Sequence, residues 1–203
     1  MEGIKNLIID FGGVIVNLTR NRCIEAFEAL GVDVRDKLTN NYQHKDLFRQ
    51  LELGHLSAES FRDGIRQFTD QSITDEAIDG AWIAMLDDVA GWKLDLLLHI
   101  RSHYQTVLLS NTNVIHWDWA RQHIFSYKNH TLEDFFVKTY LSYELHMEKP
   151  HIEIFEYVLK DSALNPQETL FIDDALVNCN AAESLGIRSY MPSPREDWSF
   201  LFL

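Results

Sequence analysis

Leu7-Ile8-Ile9 is a short apolar run that ends in Asp10 and then breaks at Phe11-Gly12-Gly13-Val14. An apolar run without polar alternation suits a strand buried on both faces, as in a parallel sheet. Glycines directly after it form a turn and leave a carboxylate at the strand's C-terminal lip, where open α/β sheets bind their ligands. Taken singly, the segment also describes a strand that merely stops at a turn. Recurrence narrows the reading. Leu109-Ser110-Asn111-Thr112 and Phe171-Ile172-Asp173-Asp174 also follow apolar runs, and Lys149-Pro150 stands between them.

From Gly91 onward, strand-like and helix-like segments alternate. Trp92, Leu96 and Ile100 share a helical face, and Gln105–Leu109 is a buried strand. Val114–His123 is a helix, Phe135–Leu141 another strand, and Ile154, Phe155, Val158 and Leu159 mark a further helix. Asn165-Pro166-Gln167-Glu168 has a cap, a proline and an acid in the order of a helical turn. Thr169–Ile172 is a strand, Leu176–Leu185 a helix closed by Gly186, and Ile187–Met191 a last strand. Between residues 20 and 85 the period is 3.6 throughout, in four stripes. These are Cys23, Phe27 and Leu30; Leu47, Phe48 and Leu51; Phe61, Ile65 and Phe68 behind a Ser57 N-cap; and Ile78, Trp82 and Met85 or Leu86. The expected fold class is α/β: a doubly wound, Rossmann-like parallel-sheet core, residues 1–16 and 91–203, with an inserted α-helical bundle as a cap at 17–90.

The chain has 203 residues, 46% hydrophobic and 24% charged, which suits a globular protein with a sizeable core. A net charge of −13 without a basic stripe argues against a nucleic-acid partner. No apolar stretch approaches the ~20 residues of a membrane span. Cys23 and Cys179 are too few for a disulfide framework or a zinc site, and the N-terminus opens directly into a strand without a signal-peptide layout. The expectation is a cytoplasmic protein; its oligomeric state is not readable.

A strand-end aspartate can ligate a metal, act as a base or act as a nucleophile. Adjacent Asp173 and Asp174 beside Asp10 would repel one another unless a cation sat among them, and oxygen ligands in small number suit Mg²⁺. Lys149 adds positive charge, while Ser110 and Asn111 offer a hydroxyl, an amide and backbone N–H groups at a strand-to-helix junction. Each segment has an ordinary structural explanation: an N-cap pair at Ser110-Asn111, a helix start at Pro150, a helix cap at Asp173-Asp174. Together they describe phosphoryl transfer to Asp10.

Asp10-Phe11-Gly12-Gly13-Val14-Ile15, Leu109-Ser110-Asn111-Thr112-Asn113, Glu148-Lys149-Pro150 and Phe171-Ile172-Asp173-Asp174 resemble the four ordered motifs of the haloacid dehalogenase superfamily. The helical insertion resembles its small α-helical cap. Gly54-His55-Leu56-Ser57 resembles a signature of sugar-phosphate phosphatases similar to bacterial α-glucose-1-phosphate phosphatase. The resemblance implies a Mg²⁺-dependent phosphatase acting on a small phosphorylated metabolite. Asp10 would be the nucleophile. Asp10, the carbonyl of Gly12 and Asp174 would hold Mg²⁺, with Asp173 a direct or water-mediated ligand. Ser110 and Asn111, with the backbone of Gly12 and Gly13, would bind the phosphoryl group, and Lys149 would orient Asp10. Asn178 stands where many members carry another aspartate.

One position departs from the family. Most of its phosphatases carry a second aspartate two residues after the nucleophile, which protonates the leaving oxygen; here that residue is Gly12. Such help is typically worth ~10²–10⁴-fold. Three readings follow: a phosphatase for good leaving groups, or one using His44 or His55 from the cap; a dehalogenase, whose halide needs no proton but whose family lacks the acidic pair; or a weakly catalytic binding module. On the first reading, Gly12→Asp is expected to raise turnover. Substrate selection is expected near Gly54-His55 and near Trp82.

Overall fold

The computed structural model describes residues 2–34 and 47–202. Five parallel strands form one sheet in the order β3-β2-β1-β4-β5. They are β1 (Asn6–Ile9), β2 (Gln105–Ser110), β3 (Lys138–Leu141), β4 (Thr169–Ile172) and β5 (Arg188–Tyr190). The order runs outward from β1 in both directions, so the switch point of the winding lies at β1, where a ligand crevice is expected. Among the described residues the helices are α1 (Arg20–Ala29), α2 (Leu47–Glu52), α3 (Ala58–Arg66), α4 (Asp75–Ile83), α5 (Gly91–Arg101), α6 (Val114–His123), α7 (Leu132–Phe135), α8 (Ser142–Leu145), α9 (Ile152–Asp161) and α10 (Leu176–Ser184).

The strands bury both faces, and their period of two divides the core into two layers. Leu7, Ile9, Leu108, Leu170 and Ile172 face one layer, with Leu94, Leu97 and Ile100 of α5 and Trp117 and Ala120 of α6. Ile8, Val107, Leu109 and Phe171 face the other, against Ile154, Phe155 and Val158 of α9 and Ala182 of α10. Helices α1 to α4 enclose a third cluster that includes Phe27, Phe48, Phe61 and Trp82, and Ile115 of α6 enters it from the sheet side. Phe48 centres this cluster, with edge-on or tilted rings of Phe27, Phe61 and Trp82 around it.

The two chain crossings into this helical block pair with each other. Leu18 bridges Leu86 in antiparallel fashion, Thr19 N–H donates to the Met85 carbonyl at 2.9 Å, and Asp87 N–H donates to Asn17 at 2.9 Å. Asp87 then accepts from Thr19 Oγ1, Arg22 and Arg195. Both crossings are therefore fixed to one another and to the C-terminal segment.

Several sequence expectations need correction. Phe135 belongs to a helical turn with a capping box between Thr131 and Asp134, so β3 starts only at Lys138. The fully buried stripe of α5 is Leu94, Leu97 and Ile100 together with Lys93, while Trp92 and Leu96 pack at its margin. Phe68 lies beyond the end of α3 and is exposed. Ser57 does cap α3, accepting from Ser60 N–H. Cys23 and Cys179 are free and buried. No helix among the described residues is long and apolar enough to cross a membrane.

Candidate active site

The sheet register assembles the site. Ile9 pairs with Leu108 on one side and Ile172 on the other. The residues one step further, Asp10, Leu109 and Asp173, therefore emerge at one level, and Asp10 N–H donates to the Ile172 carbonyl at 2.9 Å. Residues 162 positions apart in sequence meet because three parallel strands end together.

Lys149 is the hub. Its Nζ lies 2.8 Å from Asp10 Oδ1 and 2.6 Å from Asp173 Oδ2 and donates to the Leu109 carbonyl at 3.0 Å. Those three contacts use its three N–H bonds. Burial works against the ammonium, but the carboxylates of Asp10 and Asp173 outweigh it and hold the Lys149 pKa above the usual lysine value. Asp173 is completely buried. Besides Lys149 it accepts from Ala175 N–H at 2.8 Å and from Asn178 Nδ2 on both oxygens, at 2.9 and 3.1 Å. Asn178, where the family often has an aspartate, thus supplies a donor that holds Asp173 in place.

Asp174 is the more open member of the pair, and Gly13 makes room for it. Gly13 has φ +80°, and a Cβ there would collide with the Asp174 carboxylate. Its N–H donates to the Val16 carbonyl at 2.8 Å. The contribution of Gly13 is therefore clearance and turn geometry, in place of the phosphate contact expected from sequence. Oxygens of Asp10, Asp173 and Asp174 lie within 4.8 Å of one another. Burial, and then Asp173 and Asp174 against the opposing pull of Lys149, push Asp10 up to about 7. Burial and Asp173 raise Asp174 as well. An all-oxygen cluster of three close carboxylates, two of them buried, fits a hard divalent cation, which would offset the repulsion.

Asn111 has a different task from the one expected. Its Nδ2 donates to the Lys149 carbonyl at 2.8 Å, and its Oδ1 accepts from Lys149 N–H at 2.9 Å. This reciprocal pair positions the lysine and leaves the backbone N–H and the second amide hydrogen for a ligand. The Ser110 hydroxyl makes no hydrogen bond with the described residues and faces the crevice. Beyond them, Ser142 Oγ accepts from Thr112 N–H at 3.0 Å and faces the carbonyls of Glu52, at 2.6 Å, and Thr112, at 3.0 Å. Asn113 caps α6 and contacts His116 Nδ1, while His116 Nε2 donates to the Trp82 carbonyl at 2.9 Å. The Ser-Asn-Thr-Asn run thus joins the sheet to the helical block. Burial lowers His116 to about 4, so the ring is neutral.

These elements border a crevice of about 240 Å³. Gly12, Ser110, Asn111 and Thr112 form its sheet side, and Leu18, Arg20, Glu52, Met85 and Leu86 form the opposite wall. Three expectations change here. Trp82 is fully buried and stacks on His116, so it cannot touch a ligand; its neighbours Met85 and Leu86 do line the wall. His55 is exposed and stacks on His146 beside a different depression, bordered by Arg49, Glu148 and His151. His44 lies outside the described residues. Gly12 is not fully open: a Cβ there would meet Leu18 Cδ1 at 3.0 Å, so an aspartate would need that exposed side chain to yield by a few tenths of an ångström.

Sequence reasoning missed Leu18, Arg20, Glu52 and Lys93. Lys93 is buried and donates to the Val14 carbonyl at 2.6 Å, which braces the turn after Asp10. A signal existed for it: a lysine four residues before Leu97 shares the buried face of α5. Arg20 and Glu52 stand at the ends of helices whose apolar stripes mark only the buried face, and Leu18 precedes any periodic segment.

Comparison with known proteins identifies the family. The family model for haloacid dehalogenase-like hydrolases matches residues 4–186. A D-ribitol-5-phosphate phosphatase of Bacteroides thetaiotaomicron is 39% identical over 195 residues, covering 96% of this chain and 95% of that protein. A crystal structure of a family enzyme from the same organism, in complex with magnesium and inorganic phosphate, has a TM-score of 0.93 at 48% identity, covering 98% of this chain and all of that one. A predicted hydrolase of Porphyromonas gingivalis has a TM-score of 0.88 at 35% identity, covering 96% and 94%. The chain belongs to the haloacid dehalogenase-like hydrolase family.

Proposed function

We propose that this protein is a Mg²⁺-dependent phosphatase that hydrolyses a small phosphomonoester, with acyclic sugar-alcohol phosphates as the first substrate class to test. The observation that carries the reading is the buried hub in which Lys149 joins Asp10 to Asp173 beside Asp174. The D-ribitol-5-phosphate activity of a relative that spans 96% of the chain supports the substrate class. So does a crevice too small for a large ligand.

In this mechanism Lys149 holds Asp10 Oδ1, which leaves Oδ2 to attack phosphorus and form an aspartyl phosphate. Ser110 Oγ and the N–H groups of Gly12 and Asn111 hold the phosphoryl oxygens. Asp10, the Gly12 carbonyl and Asp174 hold Mg²⁺, which supplies Lewis-acid neutralisation of the phosphoryl charge. Asp173, already accepting from Lys149, Ala175 and Asn178, serves the lysine first and a cation only at second hand. Water then attacks the aspartyl phosphate, releases phosphate and restores Asp10. We place the helical block, residues 17–90, as the cap that selects substrate, and the protein in the cytoplasm, in keeping with its two free thiols.

The test is steady-state hydrolysis of ribitol 5-phosphate, related pentitol phosphates, glucose 1-phosphate and 2-chloropropionate, with Mg²⁺ and with EDTA. Phosphate release that EDTA abolishes is expected, with pentitol phosphates ahead. EDTA-insensitive halide release would overturn the reading in favour of dehalogenation.

A further inference from the structure

We propose that Leu18 and Arg20 form the leaving-group subsite: Leu18 crowds the space an acid at position 12 would need, and Arg20 supplies cationic hydrogen bonds to the departing oxygen instead. The inference rests on the phosphatase reading and extends it to the half of the substrate that is not phosphate. Both residues line the crevice opposite Ser110 and Asn111. Leu18 is held there by its bridge to Leu86 and by the Thr19–Met85 hydrogen bond. Its terminal methyl lies 3.0 Å from the Cβ position of Gly12, so a side chain at position 12 would crowd it.

Arg20 differs from its neighbours. Arg22, Arg62 and Arg66 are all paired with aspartates. Arg20, on the first turn of α1, makes no hydrogen bond or ion pair with the described residues, although the chain carries a net charge of −13. A guanidinium that stays charged and presents several donors at the mouth of an anion site is poised for an incoming phosphate ester.

The chemistry balances without a protein acid. Asp10 forms a bond to phosphorus, and the pair of the P–O bond passes to the bridging oxygen, where Arg20 N–H groups stabilise the growing charge. The alkoxide takes a proton from crevice water, and the resulting hydroxide attacks the aspartyl phosphate to give phosphate and free Asp10. An unprotonated leaving group makes the rate depend steeply on its basicity. A sugar-alcohol phosphate should then need Arg20 far more than an aryl phosphate, whose phenolate leaves unaided.

The experiment compares wild type, Arg20→Gln, Arg20→Lys and Glu52→Gln on ribitol 5-phosphate and p-nitrophenyl phosphate, with Mg²⁺. Arg20→Gln should lose about 10²-fold in kcat/KM on the alkyl ester, at least tenfold more than on the aryl ester. The loss should sit mainly in kcat, and Arg20→Lys should recover part of it. Gly12→Asp alone should give no gain on the alkyl ester, while Gly12→Asp with Leu18→Ala should give a gain and a new basic limb in the pH profile. Equal losses on both esters, or no loss, would overturn the role of Arg20. A selective alkyl loss in Glu52→Gln with none in Arg20→Gln would assign proton donation to Glu52 and overturn it too. A wild type silent on both esters would instead fell the phosphatase reading itself.

Discussion

The active site and the crevice beside it are built by opposite rules. At the floor, where the main strands converge, Lys149 and Asp173 have their hydrogen-bonding capacity taken up by named partners. At the mouth, Leu18 ends a crossing between layers and Arg20 opens α1; both stand partly in solvent, and neither side chain is held by a hydrogen bond or ion pair of its own among the described residues. Over-determined groups hold a geometry to a fraction of an ångström, as bond formation requires. Loosely held ones can be exchanged without unfolding the protein. The contrast separates a fixed reaction from an adjustable choice of leaving group.

Substitutions at the floor should be the severe ones. Asp10→Asn should reduce turnover by at least about 10⁴-fold with the circular dichroism spectrum unchanged; activity near wild type would remove the nucleophile from the floor. Lys149→Met strands two buried carboxylates and should cost about 3–5 kcal/mol in urea unfolding, besides abolishing activity. A loss under 1 kcal/mol would mean the hub is better hydrated than its burial indicates. Gly13→Ala forces a side chain into the Asp174 carboxylate. It should erase the Mg²⁺-induced rise in Tm expected of the wild type, and an intact rise would uncouple Gly13 from the cation.

His116 sharpens the comparison from the joint between floor and mouth. Its native pKa of about 4 lies below the free value of 6.5, so the unfolded chain binds the extra proton between those limits. Its stabilising effect is complete above pH 6.5 and is lost as pH falls toward 4, by up to roughly 3 kcal/mol. His116→Asn should flatten that slope in stability measured from pH 4 to 7. The smallest effect belongs to His55, which stands outside the crevice. His55→Ala should change kcat/KM by less than about threefold, and a larger loss would extend the mouth to the far side of α2.

The sheet was legible because β1, β2 and β4 are unbroken apolar runs followed by polar residues, a pattern that parallel strands buried on both faces require. The boundary of β3 was not, since Phe135 and Phe136 continue the apolar run while Thr131 and Asp134 close a capping box over it. The four motifs were legible as a set, yet the tasks of Asn111 and Gly13 were not. Their partners, Lys149 and Asp174, lie 38 and 161 positions away, and only the fold brings them into contact. The stripe through Trp82 was legible as core, but not that its far end, Met85 and Leu86, turns from the helical layer to the crevice.

The hydroxyl of Ser142 has one hydrogen and two carbonyls to give it to, Glu52 on α2 and Thr112 on the sheet side. It behaves as a rotor at the seam. With α2 seated, the shorter contact takes the proton; were α2 to lift, a rotation about the Cβ–Oγ bond would turn it to Thr112 and leave no buried donor orphaned. Separation at this point would then avoid the ~1–3 kcal/mol that an unsatisfied buried group costs.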